Sequence, residues 1–223
     1  MPLYRFWRSP FRFGRRLDVF GVATARMLPA VVAVAVAVLG LACETVAPAA
    51  ESPLETVARF MESWNRHDFE AEMKCRSNAV TLVHDGKRSI ESPEDREAER
   101  GYRAFDRVVR ARFRYAVVSS TPDTVEIALT EDNDFLRAIG IPELRSRWSY
   151  VVREGRIQED HHLNQPDPAY VTALRDFRVW VRAARPVESA RVLDARGYVV
   201  FDGRTASEVL SLARNWESLK RPR

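Results

Sequence analysis

The chain has 223 residues, 46% of them hydrophobic, which suffices for one packed domain and excludes a disordered or fibrous protein. Its net charge of +4 does not mark a nucleic-acid binder, because residues 1–43 hold six arginines against one aspartate, a local +5 that leaves residues 44–223 at −1. With two cysteines, Cys43 and Cys75, a disulfide-stapled fold is also excluded.

Residues 1–43 have the three parts of an export leader: an arginine-rich start, an apolar run from Met27 to Ala42, and small residues before Cys43. A permanent bilayer crossing takes about 20 apolar residues, so the 16-residue run suits a cleaved signal better than a retained N-terminal membrane helix. The segment Leu39-Gly40-Leu41-Ala42-Cys43 resembles a bacterial lipobox, which implies that Cys43 carries lipid and begins the mature protein. Cys75, then without a partner, reads as a small buried residue on a helix. Residues 44–51, rich in Ala and Pro, form a tether.

Ser52-Pro53-Leu54-Glu55 opens a helix with a cap, a proline in the first turn and a glutamate three residues after the cap. Leu54, Val57, Met61 and Trp64 continue it as one apolar stripe, and Asp68 caps a second short helix through Cys75. Ala79 to Gly86 is a strand ending in a turn, and Ser92-Pro93-Glu94-Asp95 starts a third helix that carries Tyr102, Phe105, Val108 and Val109. Phe113 to Ser119 and Thr124 to Leu129 are strands about a Pro122-Asp123 turn, and Thr130 to Pro142 holds a short helix. Leu144 to Leu163 forms two long strands joined at Glu154-Gly155, with Trp148, Tyr150 and Val152 on one face of the first. In the second, Ile157, Glu159 and His161 alternate with Gln158, Asp160 and His162. Beyond Pro166 the chain turns helical, with stripes Tyr170, Leu174, Phe177, Val181 and Val209, Leu212, Trp216; Gly197 to Asp202 stays ambiguous between strand and extended connection.

The segment VARFMESWNRHDFEAEMKC resembles the first two helices of the nuclear transport factor 2-like (SnoaL-like) superfamily, and SYVVREGRIQE resembles its closing hairpin. The resemblance implies an α+β fold over residues 52–165, a curved antiparallel sheet wrapped by helices as a cystatin-like cone, with residues 166–223 as a helical C-terminal extension. Family members include isomerases, cyclases, hydrolases and non-catalytic binding domains. Aligned on a ketosteroid-isomerase-like pattern, Phe60, Val83 and Arg145 fall where that chemistry has a tyrosine and two aspartates, and Arg147 falls where an epoxide-hydrolase-like pattern has an aspartate.

Trp64, Tyr102, Trp148 and Tyr150 are candidate walls of a ligand pocket. His84, Asp85, Glu159 and His161, imidazoles and acids at two strand ends, are the candidates for general acid and base work. Their spacing matches no zinc motif, and neither a metal nor a cofactor is expected. The expected function is an exported ligand-binding or assembly domain on the periplasmic or cell-surface face of a bacterial membrane, held there by the lipid or the N-terminal helix. A small apolar ligand is one candidate partner and a second copy of the chain another; nucleic acid is not. The rival expectation is a SnoaL-like isomerase, cyclase or hydrolase working in the cone cavity.

Overall fold

Ser52 accepts from the Glu55 amide while the Glu55 carboxylate accepts from the Ser52 amide, a reciprocal cap worth about 1 kcal/mol that fixes the start of α1 (Pro53–Asn65). In the computed structural model, residues 51–163 and 167–220 are described and belong to one compact unit. The leader over residues 1–43 with its Cys43, tether residues 44–50, and the expected boundary at residue 165 lie outside the described residues. Helix α2 (Phe69–Lys74) follows on an Asp68 cap, then β1 (Arg76–His84) and the short β2 (Lys87–Ile90). Ser92 and Asp95 repeat the reciprocal cap at the head of α3 (Pro93–Val108). Next come β3 (Arg112–Ser120), β4 (Thr124–Asp132), the single-turn α4 (Asp134–Ala138), β5 (Leu144–Arg153) and β6 (Arg156–His162). The chain closes with α5 (Pro168–Ala184), α6 (Pro186–Val192) and α7 (Ala206–Lys220).

The fold is α+β, with six strands in the order β2-β1-β6-β5-β4-β3. Every neighbouring pair is antiparallel except β1 and β6, which run parallel and make the sheet mixed. Both tight hairpins turn on residues with positive φ, Asp85 (50°) with Gly86 (72°) and Glu154 (54°) with Gly155 (65°). That pair of left-handed residues is what a two-residue turn needs to match strand twist, and it gives Asp85 a conformational reason to be where it is. One face of the sheet is covered by α1, which packs Val57, Phe60, Met61 and Trp64 against β3 to β6. On β5 the covered residues are Leu144, Ser146, Trp148, Tyr150 and Val152, the face expected from alternation.

One strand departs from alternation. Val152 pairs with Ile157 but Val151 pairs with Glu159, so Gln158 is an extra residue, a bulge. The bulge flips the phase, so the residues that follow Ile157 into the core are Asp160 and His162, while Glu159 and His161 face the other way. The C-terminal helices pack α7 against α3, α4, α5 and α6. A run of ring contacts ties them down: edge-on from Phe105 to Phe201 at 4.9 Å, Phe135 to Phe201 at 5.6 Å and Phe135 to Phe177 at 5.7 Å, and tilted from Phe177 to Trp216 at 5.7 Å. The segment Gly197 to Asp202, ambiguous in the sequence, is extended and makes a single bridge, Leu193 with Val199. It crosses α3 so closely that a Cβ on Gly203 would stand 2.7 Å from that of Ala104.

Candidate functional site

The covered face of β5 and β6 carries a patch two residues wide. Trp148 pairs in register with His162, and Tyr150 with Asp160. The Trp148 and Tyr150 rings are nearly parallel, 14° apart with centroids at 6.5 Å, and the His162 ring lies 4.6 Å from Trp148. Phe60 meets Tyr150 at 5.4 Å and Trp64 at 5.3 Å, which closes the aromatic wall from the α1 side. Trp148 Nε1 donates to Ser146 Oγ at 2.9 Å. By contrast Tyr150 OH, Asp160 Oδ1, His162 Nε2, Trp64 Nε1 and Arg76 Nε are all buried with no hydrogen-bond partner among the described residues.

Behind this patch lies an ion cluster drawn from α2, β1, α3 and β6. Arg76 Nη2 donates to Glu91 at 2.9 Å, and its Nη1 stands 3.5 Å from Glu99, 3.7 Å from Glu72 and 3.9 Å from Asp160. Arg103 donates to Glu72 at 2.6 Å and Asp106 at 2.8 Å, and its guanidinium lies 4.4 Å above the Trp64 ring. Five carboxyl groups thus share two buried guanidiniums, with Arg96 reaching Glu91 from the edge. Burial, with Glu99 close by, pushes Glu72 up to about 8 despite Arg103. Burial also pushes Glu131 up to about 7, helped by Asp106, and pulls His162 down to about 4, helped by His84. The Tyr150 phenol is raised well above its ordinary value by burial and by Asp160.

These shifts have a readable consequence for stability. Glu72 moves from 4.5 to about 8 on folding, so the fold retains a proton that the unfolded chain releases; its contribution is full below pH 4.5 and is lost as pH rises through 8. Glu131 acts with the same sign, whereas His162 costs stability as pH falls from 6.5 towards 4. Between pH 6.5 and pH 8, therefore, the glutamates dominate these three, and urea unfolding should show stability dropping by roughly 2 kcal/mol. Glu72→Gln should flatten that drop; a slope unchanged in the variant would remove Glu72 from the account.

The expected pocket residues Trp64, Tyr102, Trp148 and Tyr150 are all buried, with Trp64, Trp148 and Tyr150 on the aromatic wall. Tyr102 lies apart, lining a surface cleft of about 710 Å³ between α3 and residues 200–204. The expected acid and base residues are divided between the two faces. His84 lies across from His162, ring centroids 6.0 Å apart, and Asp85 sits in the exposed turn. Glu159 and His161 form their own 2.8 Å contact on the opposite face, with Arg88 bound to Glu159 at 2.9 Å. Among the described residues no three His, Cys, Asp or Glu are grouped to hold a metal ion.

No protein-family model and no curated protein matches the chain. Solved structures do resemble it. A nuclear transport factor 2-like protein of unknown function from Cytophaga hutchinsonii aligns over 53% of this chain and 93% of its own at 15% identity and a TM-score of 0.38. An uncharacterised cystatin-fold protein from Novosphingobium aromaticivorans aligns over 51% and 99% at 13% identity and 0.41. Rv0760c from Mycobacterium tuberculosis, solved in complex with estradiol-17β-hemisuccinate, aligns over 52% and 95% at 18% identity and 0.38. The α+β architecture stands on the strand order and packing described above.

Asp160, His162, Arg76, Arg103, Glu72 and Glu99 are the site residues that sequence reasoning missed. For Asp160 and His162 the bulge is the reason, since unbroken alternation from Ile157 turns them outward. For the ion cluster a signal existed: Glu72 with Arg76 and Glu99 with Arg103 stand four residues apart, a spacing shared by ordinary solvated helix pairs.

Proposed function

We propose that the chain is an exported domain of the nuclear transport factor 2-like kind, anchored at the outer face of a membrane through Cys43, which binds a small, mostly apolar ligand with a polar end inside the cone. The observation that carries the binding reading is the set of three polar tips, Tyr150 OH, Asp160 Oδ1 and His162 Nε2, buried beside an aromatic wall with no partner among the described residues. A buried polar group left unsatisfied costs about 1–3 kcal/mol, and most proteins leave few of them. Three on one register-paired patch are accounted for by a molecule that supplies their partners. Trp148, Tyr150, Phe60 and Trp64 supply its apolar walls.

Native mass spectrometry of the full chain should therefore carry a bound small molecule, and Tyr150→Phe should weaken its binding by no more than about tenfold, the worth of one neutral hydrogen bond. The rival reading, acid and base catalysis in the cone, is favoured by one feature, the Tyr150 phenol set beside Asp160. It requires Tyr150→Phe to lower a turnover rate by about a hundredfold or more with the fold intact. A loss of that size in any substrate assay would replace the binding reading with the catalytic one.

The membrane reading draws on the leader and the lipobox-like segment before Cys43. Among the described residues no helix is long and apolar enough to cross a membrane. Cys43→Ala should abolish incorporation of labelled fatty acid and leave the leader uncleaved or the protein released. Unchanged processing and labelling in that variant would sink the lipid anchor and leave the N-terminal helix in its place.

A further inference from the structure

Building on the binding reading above, we propose that the polar end of the ligand is a protonated amine, seated over the Trp148 and Tyr150 rings and donating to Asp160, Tyr150 and His162. The sign of the charge comes first. Five carboxyl groups surround two buried guanidiniums, and the carboxyl group that faces the aromatic patch, Asp160, meets the nearest of them only at 3.9 Å. Charge-assisted hydrogen bonds run at about 2.7–2.9 Å, so Arg76 Nη1, spread over Glu72, Glu99 and Asp160 at 3.5–3.9 Å, satisfies none of the three well. Among the described residues the cluster is short of positive charge, as the proton retained by Glu72 also indicates. A cation entering beside Asp160 relieves this deficit and an anion deepens it.

The hydrogen-bond inventory agrees with the charge. Asp160 Oδ1 only accepts, the Tyr150 oxygen accepts as well as donates, and a neutral His162 has one accepting ring nitrogen. An ammonium has three donors and no acceptor, which matches three accepting tips. An alcohol brings one donor and can also accept from the Tyr150 hydroxyl, which leaves one tip unmet; a carboxylate can accept from Tyr150 but brings no donor for Asp160 or His162. The paired rings add a negative face on which a cation is favoured, and burial strengthens that attraction. Arg76 Nε and Trp64 Nε1 are unpartnered donors nearby, and they would favour an acceptor, but the excess of carboxyl groups around the Arg76 guanidinium outweighs them.

Straight-chain amines, alcohols and carboxylic acids of four to eight carbons, titrated at pH 7 into the full chain and followed by calorimetry, separate the possibilities. The amine of the best-fitting length should bind at least about tenfold more tightly than the alcohol of equal length, and the carboxylate more weakly than both. In Asp160→Asn the amine should fall to the level of the alcohol. If that variant does not fold, the amine-to-alcohol ratio in the unaltered chain still decides. Alcohols or carboxylates binding as tightly as amines would overturn the amine while leaving the cone a binding site. No binding in any of the three series would overturn both.

Discussion

A chain ended after Leu163 is expected to aggregate instead of folding as a smaller cone. Phe105 and Phe135 are fully buried, and the rings that cover them, Phe201 and Phe177, lie beyond that point. Each exposed phenylalanine forfeits up to about 1.5–3 kcal/mol, against a total stability of about 5–15 kcal/mol. Asp134 also loses Arg214, which reaches it from α7 at 3.2 Å. Size-exclusion chromatography with light scattering checks this. A monomeric truncation that melts cooperatively would show that the cone stands without its extension.

Arg103→Met is expected to cost about 3–5 kcal/mol, the usual result of removing one partner of a buried ion pair. The side chain keeps its bulk, so the loss is electrostatic: Asp106 at 2.8 Å is left in the interior without its guanidinium, and Glu72, which holds its proton up to about pH 8, loses its donor at 2.6 Å. The cation over Trp64 goes with it. Because a stranded carboxylate can be neutralised by a proton, the gap between variant and parent should narrow as pH falls from 7 to 5 in equilibrium urea unfolding. A gap that stays constant over that range would mean that Arg103 acts through packing alone.

Much of the frame was legible in the sequence because its signals are local. The reciprocal caps at Ser52 and Ser92, the Asp85-Gly86 and Glu154-Gly155 turns and the alternation of Trp148, Tyr150 and Val152 each depend on residues a few positions apart. The polar strand Lys87–Ile90 was not legible, since every one of its residues is exposed and it has no apolar face to betray it. The short helix Pro186–Val192 escaped for a similar reason, with Val192 its one buried residue. In the site, the aromatic wall followed from periodicity. Its polar half did not, because a single extra residue at Gln158 exchanges Glu159 and His161 for Asp160 and His162, and no propensity marks that insertion.

The parallel seam between β1 and β6 bears on the order in which the sheet assembles. Strands β3 to β6 follow one another along the sheet as they do along the chain, so their ladders can grow from neighbouring turns. The seam cannot: α3, α4 and four further strands lie between β1 and β6, and a parallel ladder has no hairpin to start it. Joining it means closing a long loop whose entropy is spent before any contact repays it, which makes such pairings slow. That seam also brings His84 to His162 and Arg76 to Asp160. The pairing of His84 with His162 and of Arg76 with Asp160 therefore exists only once that long loop has closed.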